Sequence, residues 1–242
     1  MLFGVVILTL ALTPSTYSRV NRRVIARHIV RTTVPNLLWF TVLSALISVV
    51  LIRIVVVTAL SYGLSRFAIE MVVRVLVLEL IPLTAALFVA VRCMLPEAAQ
   101  LEQMRAVGAL EDLRRQGIDP IRQEFVPRVL AGLFAVWMLG VVSCIMTLVL
   151  AYLALYGFTP WAMSGYTRVV GQVFNPVVTL ILVLKIFFFS AAVSFIPMAS
   201  AYYDDIAPMR RGRISIAGMT GIVRLFAVVL VIEVASLMGN YY

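Results

Sequence analysis

Five long apolar runs dominate this sequence and restrict it to a protein that spans a membrane. Each run is close to the roughly 20 apolar residues that a helix needs to cross a hydrocarbon core of about 30 Å. Of the 242 residues, 63% are hydrophobic and 13% are charged, whereas soluble domains have about 45–50% apolar and roughly 25% charged residues. The runs are continuous and not alternating, which argues against a transmembrane β-barrel. We predict an all-α polytopic membrane protein with a single domain over residues 1–242.

The apolar runs and the polar segments between them give the predicted element boundaries. The transmembrane helices are predicted over residues 36–58, 67–92, 129–156, 176–199 and 216–238. Residues 1–34 are predicted to form interfacial helices, because their first apolar run is too short for a span and the next segment is a basic amphipathic helix. That segment carries arginines in steps of four along one helical face: Arg19, Arg23, Arg27 and Arg31.

The distribution of arginine predicts the topology of the spans. The chain has a formal net charge of +9, and its arginines lie mainly between the apolar runs, so membrane topology explains them better than nucleic-acid binding does. Only Arg66 and Arg168 fall in loops on one side, and all the other loop arginines fall on the opposite side. We therefore predict a cytoplasmic N-terminus and a periplasmic C-terminus. Aromatic residues at the predicted outer interface agree with this: Tyr62, Tyr156, Trp161, Tyr166, Tyr241 and Tyr242.

The polar insert between the second and third spans is predicted to be a rigid cytoplasmic coupling elbow over residues 97–122. Gly117 is predicted to end the first helix of this elbow. Asp119 is a suitable N-cap for the next helix, and Pro120 occupies its first position. The first helix of the elbow carries a predicted apolar stripe: Leu101, Met104, Gly108, Leu110 and Leu113. Such an elbow indicates docking to a partner on the aqueous side.

Three charged residues lie well inside predicted spans, namely Glu79, Lys185 and Glu233. An unpaired charge at the centre of a bilayer costs at least about 2.5–3.5 kcal/mol, so these residues are expected to face the bundle interior, a cavity or each other. Two interpretations remain open. The charges either line or gate a path for a lipid headgroup, or form a buried ion pair that fixes helix register.

Catalytic and metal-binding signals are missing from the sequence. It contains no G-x-x-x-x-G-K-[ST] loop for ATP. His28 is the only histidine, and Cys93 and Cys144 lack the spacing of metal ligands. We predict a protein that is not an enzyme and that holds no metal.

Four stretches share an arrangement with one family of membrane permeases. They are LELIPLTAALFVAVR, GIDPIRQEFVPRVLAG, LKIFFFSAAV and VLVIEVASL. Together they resemble the MlaE/YrbE permease family, with its pattern of roughly LLRELGPVxxALLxAGRAG, AxGVDPxRxxxxPRxxA, LIKSxxF and a late aspartate. The resemblance extends from about Ala26 to the C-terminus, and the GxDPxR…PR block is its most specific part.

On this resemblance, individual residues take the positions of the family's motifs. Glu79 and Pro82 take the glutamate and proline of RELGP, and Arg92 takes the arginine of GRAG. Lys185 takes the lysine of LIKS, and Glu233 takes the late aspartate. The DPxR and PR positions are taken by Asp119, Pro120, Arg122, Pro127 and Arg128.

The chain also departs from the family's pattern. Leu78 and Ile81 replace an arginine and a glycine of the first motif, and Val91 and Met94 replace the glycines of the second. Gly108 and Ala109 stand where the family has Glu-Gln. These departures indicate a divergent branch of the family.

The resemblance implies the permease subunit of an ABC-type phospholipid transporter in the bacterial inner membrane. It implies a homodimer and two kinds of partner: an ABC ATPase, and an MCE-domain protein on the periplasmic side. ATP and Mg would bind to the ATPase, and this chain would hold no cofactor. Glu79, Lys185, Glu233 and Pro82 would form the substrate path or gate. Coupling to the ATPase would use Arg105, Gly117, Asp119, Pro120, Arg122 and Arg128.

Two other functions are compatible with the sequence. One is a proton-coupled secondary transporter of a hydrophobic substrate that uses Glu79 and Glu233 as proton sites, although no internal repeat of the kind common in such carriers is evident. The other is a membrane assembly subunit that transports nothing. In that case, neutralising the intramembrane charges would change only the abundance of the protein.

Overall fold

The computed structural model of the protein describes Ile7, Thr9 and residues 19–63, 67–203 and 216–241. This part of the chain is helical apart from short turns and contains no strand. Five of its helices are long and apolar enough to cross a membrane: Arg22–Ala59, Ala68–Ala106, Ile121–Tyr156, Pro176–Tyr202 and Gly221–Asn240. The predicted all-α membrane fold with five spans is therefore confirmed. Of the apolar run at residues 1–12, only Ile7 and Thr9 are among the described residues. Arg66 and the arginines of the last polar link also lie outside them.

We number the helices in chain order. They are α1 (Arg19–Ser61), α2 (Ala68–Ala106), α3 (Ala109–Arg115), α4 (Ile121–Tyr156), α5 (Met163–Val173), α6 (Pro176–Tyr203) and α7 (Ile216–Tyr241). Two π-helical segments interrupt α2, at Val73–Leu80 and Ala90–Met94, and a third opens α4 at Ile121–Phe125. Helices of this wider type are rare and occur frequently at functional sites.

The basic segment and the first span form one continuous helix. α1 contains 43 residues, so it is about 65 Å long, whereas a bilayer with its headgroups measures about 40–45 Å. The predicted break between an interfacial helix and the span at residues 34–36 is therefore absent. Pro35 lies inside α1, where it removes one amide donor without ending the helix.

α4 is the central helix of the bundle. It packs along most of α1, and it also contacts α2 and α6, while α7 packs on α6. Gly132 permits this close approach, because a Cβ atom at that position would lie 2.4 Å from the Met94 sulfur and 2.7 Å from the Ser194 hydroxyl. The absence of a side chain at Gly132 therefore lets Met94 and Ser194 pack directly on α4. At Gly140, by contrast, an added Cβ would meet open space.

The connection between α4 and α6, which joins the predicted spans 129–156 and 176–199, contains the helix α5. α5 is anchored by Tyr166, which is buried and donates a hydrogen bond of 2.8 Å to the main-chain carbonyl of Leu148. Its ring packs edge-on against Tyr152 and Tyr156. Burial raises the pKa of the Tyr166 phenol to about 12, which keeps it a neutral donor. Tyr166 therefore fastens α5 to the third span and does not face the membrane interface as an exposed aromatic residue.

Candidate functional site

The three charges predicted inside the membrane meet in one buried cluster. Lys185, on α6, contacts the Glu79 Oε2 atom on α2, and its Nζ atom lies 2.8 Å from Glu233 Oε2 on α7. The Lys185 side chain is only 1% exposed, and both carboxylates are buried. The second, fourth and fifth spans are thus joined at a single ammonium group. We call Glu79, Lys185 and Glu233 the central ion cluster.

Pro82 lies four residues after Leu78, whose main-chain carbonyl is a further contact of Lys185. A helical residue normally donates its amide N–H to the carbonyl four positions earlier, and proline has no such donor. The carbonyl that Pro82 leaves free in this pattern belongs to Leu78, and Lys185 Nζ donates to it at 3.2 Å. Pro82 is buried one turn from Glu79 within α2. The main-chain carbonyl of Leu78 is thus a third acceptor for Lys185 in the central ion cluster.

α7 contributes polar groups that the sequence reasoning missed. Asn240 Nδ2 donates to Glu79 Oε1 at 2.9 Å, and Ser236 is buried on the same helix. Spacings of three and four residues place Glu233, Ser236 and Asn240 on one face of α7, and this periodicity was the available signal. The Ser236 hydroxyl and the Asn240 Oδ1 atom have no hydrogen-bond partner among the described residues.

The electrostatics of the central ion cluster are asymmetric. Two carboxylates share one ammonium, so the fully ionised cluster carries one negative charge. Pairing and hydrogen bonding are what make buried charges tolerable, and removal of one partner leaves an uncompensated charge. The arrangement can hold three helices in register. Two carboxylates and a carbonyl engage the three donors of the Lys185 ammonium, so a further polar group could bind Lys185 only by displacing one of them.

A second ion cluster lies near the other end of α2. Arg128 Nε donates to Glu97 Oε2 at 2.7 Å, and Arg128 Nη1 contacts both the carboxylate and the main-chain carbonyl of Glu124. The Arg128 side chain is 7% exposed. His28 on α1 is within electrostatic range of all three residues. This cluster ties α2 to α4 where the polar insert leaves the bundle.

The polar insert is built from two turns that contain glycine. Gly108 has a φ of +82° and Gly117 a φ of +77°, a left-handed conformation that suits glycine. The stop at Gly117 was predicted, but Gly108 was assigned to a continuous helical stripe, and that prediction was wrong. The first helix of the insert is the end of α2, which continues from the membrane to Ala106. Only α3 stands between the two turns.

Asp119 and Pro120 begin the helix that returns to the membrane. Asp119 Oδ1 accepts a hydrogen bond of 3.0 Å from the Ile121 amide, which satisfies one of the free donors at a helix start. Arg122 Nε lies 3.7 Å from Asp119 Oδ2, and both side chains are exposed. The predicted N-cap is therefore present in the structure. Gly117, Asp119, Pro120 and Arg122 together fix the shape of the turn.

Arg105 connects the polar insert to the fourth span. Its Nη1 atom donates to the main-chain carbonyls of Ala201 and Tyr202, at 2.9 and 3.1 Å. These carbonyls belong to the last turn of α6 that the structure describes. A positive side chain is also favourable at the negative end of a helix dipole. Arg105 and Arg128 thus attach the insert to three spans.

A cavity of about 390 Å³ opens between α3 and the end of α6. Leu110, Pro120, Ile121 and Phe125 give it an apolar wall. The charged lining consists of Arg105 and of Arg114, which lies 3.7 Å from Glu111. Tyr202 packs edge-on against Phe125 at 5.8 Å. The cavity therefore offers an apolar socket with a charged rim on the face of the insert.

Comparison with known proteins identifies the family. The family model described as Permease MlaE matches residues 25–238. This match spans most of the chain and includes both ion clusters and the polar insert. The chain belongs to the MlaE permease family. A search of curated proteins finds no significant match to it.

Membership of the MlaE permease family agrees with the resemblance seen in the sequence. The chain is a multi-pass membrane permease subunit. The matched region contains the residues that the resemblance assigned to the family's motifs, from Glu79 in α2 to Glu233 in α7. The structure brings Glu79, Lys185 and Glu233 together. The six residues predicted for ATPase coupling lie in the polar insert or next to it: Arg105, Gly117, Asp119, Pro120, Arg122 and Arg128.

Proposed function

We propose that this MlaE-family chain is the permease of an ATP-driven phospholipid transporter in the bacterial inner membrane. It would move lipid between that membrane and the periplasmic side together with an MCE-domain protein. An ABC ATPase would bind ATP and Mg, so that this chain needs no cofactor of its own and does not hydrolyse ATP. A second copy of the chain would complete a homodimer.

One observation carries the ATP-driven part of the proposal: the polar insert is attached to three spans by buried or bridging arginines. Arg128 binds Glu97 of α2 from α4, and Arg105 binds the end of α6. A displacement of α3 by a partner would therefore move α2, α4 and α6 together. The apolar socket beside α3 supports docking of an ATPase at this place. Such a path from a water-side motor to the spans is what a permease without its own ATP site requires.

The central ion cluster supports the lipid-transport part. α2 carries Glu97 near the insert and Glu79 deeper in the bundle, separated by about 27 Å of helical rise. Movement of α2 would therefore shift Glu79 relative to Lys185 and Glu233. A phosphate group could then compete for Lys185, and Ser236 and Asn240 would offer further polar contacts. Apolar walls would hold the acyl chains.

Gentle detergent extraction of the tagged protein, followed by mass spectrometry of every co-purifying protein, tests this proposal. Stoichiometric recovery of an ATPase with nucleotide-binding motifs and of an MCE-domain protein is the expected result. Recovery of the chain alone, under conditions that keep other ABC complexes intact, would count against it. The N-terminus is expected on the cytoplasmic side, which accessibility labelling of a terminal cysteine would check.

A proton-coupled carrier is the second candidate. The observation in its favour is the excess of carboxylates in the central ion cluster, where Glu79 and Glu233 share one ammonium. A buried site of this charge can bind a proton. Transport that continues without ATP but stops when the proton gradient is collapsed would favour this function over the ATP-driven one.

A further inference from the structure

α1 presents a row of arginines that no ion pair among the described residues neutralises. Arg23, Arg27 and Arg31 recur every four residues and so follow one face of the helix, and Arg22 adjoins them. All four are exposed. The sequence contains no aspartate or glutamate before Glu70, so α1 itself offers no compensating charge. The row is a concentrated positive surface at the end of a membrane-spanning helix.

The same helical face becomes apolar immediately beyond the arginines. Val30 lies three residues beyond Arg27, Val34 lies three beyond Arg31, and Leu38 follows Arg31 by seven residues, or about two turns. All three are exposed. The exposed apolar surface continues to Leu46. From Arg31 to Leu46 the helix rises about 22 Å, more than the roughly 15 Å of one half of the hydrocarbon core. The surface therefore has the charge pattern of one lipid leaflet, with a cationic level followed by an apolar level.

We propose that this face of α1 binds an acidic phospholipid of the leaflet in which the helix begins. The phosphate would lie against Arg23, Arg27 and Arg31, since guanidinium groups bind phosphate oxygens in a bidentate manner. One acyl chain would follow Val34 and Leu38. A headgroup with net negative charge is favoured over a zwitterionic one because the row is wholly positive and α1 carries no carboxylate to hold an ammonium group. The site is separate from the central ion cluster and does not depend on the proposed transport function.

Trp39 provides a reporter for this site. It lies next to Leu38, is 71% exposed, and follows Arg31 by about 12 Å of helix, at the depth of an acyl chain. The protein has two other tryptophans, Trp137 and Trp161, which Trp137→Phe and Trp161→Phe remove. The purified chain is reconstituted in phosphatidylcholine vesicles, and quenching of Trp39 is compared for brominated phosphatidylglycerol and brominated phosphatidylcholine. We expect phosphatidylglycerol to bind at least roughly fivefold more strongly than phosphatidylcholine. This factor corresponds to the attraction of about one arginine to an anionic lipid surface.

Substitutions in the row separate lipid binding from simple membrane topology. Replacement of the three arginines by glutamine (R23Q/R27Q/R31Q) is expected to abolish the preference, while replacement by lysine (R23K/R27K/R31K) keeps most of it. The exposed Arg168 on α5 is the matched control, and Arg168→Gln is expected to leave the preference unchanged. Quenching by brominated phosphatidylcholine verifies that Trp39 stays exposed to lipid in each variant. If the triple variant fails this check, the single variant Arg27→Gln is tested in its place. Equal quenching of Trp39 by both lipids in the protein with its arginines intact would overturn the proposal. A preference for phosphatidylglycerol that survives removal of the three arginines would also overturn it.

Discussion

Lys185 on α6 and Glu233 on α7 form a buried ion pair of 2.8 Å. Because α7 packs mainly on α6, this pair is a charged tie between the last two spans, and Glu79 extends the tie to α2. A lysine in this position holds two carboxylates that would otherwise face a medium of low dielectric constant. Both the stability of the bundle and the proposed transport therefore depend on the same side chain.

Replacement of Lys185 by methionine is expected to destabilise the protein strongly. Removing one partner of a buried ion pair typically costs about 3–5 kcal/mol, because the remaining charge is uncompensated. Thermal unfolding in detergent measures the effect. The variant K185M/E79Q/E233Q removes all three charges and is expected to recover most of the lost stability. A Lys185→Met variant as stable as the parent protein would show that the ion cluster does not bear on folding.

The neutral triple variant K185M/E79Q/E233Q also separates function from structure. It is expected to fold and insert, and to lose ATP-driven phospholipid transfer in reconstituted vesicles, because no ammonium remains to meet a phosphate. A triple variant of normal abundance and normal transfer rate would contradict the proposed headgroup contact. The cluster would then serve only to fix helix register.

Replacement of Asp119 by alanine is expected to loosen the polar insert. Loss of an N-cap side chain costs about 1 kcal/mol, and the cap accepts the Ile121 amide hydrogen bond. We expect the Asp119→Ala variant to transfer less lipid for each ATP hydrolysed by the partner ATPase. Asp119→Asn keeps the cap and removes the charge that faces Arg122, so it should stay close to the parent protein. Unchanged coupling in the alanine variant would remove the insert from the coupling path.

Gly132 is expected to tolerate no larger side chain. A Cβ atom there would lie 2.4 Å from the Met94 sulfur, and overpacking of this kind costs typically about 1–3 kcal/mol. Gly132→Ala should therefore lower the midpoint of thermal unfolding in detergent. Gly140→Ala is the control, because its Cβ would meet nothing within 4 Å. Equal midpoints for the two alanine variants would show that the Met94 and Ser194 side chains can move aside without cost.

The parts of this fold that the sequence predicts are those with a strong local or energetic signal. Long apolar runs predict five spans because a helix must match the thickness of the hydrocarbon core. That Glu79, Lys185 and Glu233 avoid the lipid follows from the cost of an unpaired charge in the membrane, but the sequence left open whether they face the bundle interior, a cavity or each other. Asp119 followed by Pro120 is a local helix start that needs no tertiary information.

Other features depend on tertiary contacts or on conformations that the sequence pattern does not reveal. Gly108 continues an apolar stripe in the sequence, yet its left-handed conformation ends α2. Arg128 resembles a surface charge next to a span, and only the fold brings Glu97 to it. The contact of Lys185 with the Leu78 carbonyl requires the packing of α6 on α2.

Phospholipid transfer in vesicles that contain the permease with its co-purified ATPase tests the central claim most directly. We predict transfer that requires ATP and Mg, that continues when the proton gradient is collapsed, and that is lost in K185M/E79Q/E233Q. Transfer that persists without ATP and stops when the proton gradient is collapsed would contradict the ATP-driven permease and would support a carrier that uses Glu79 and Glu233.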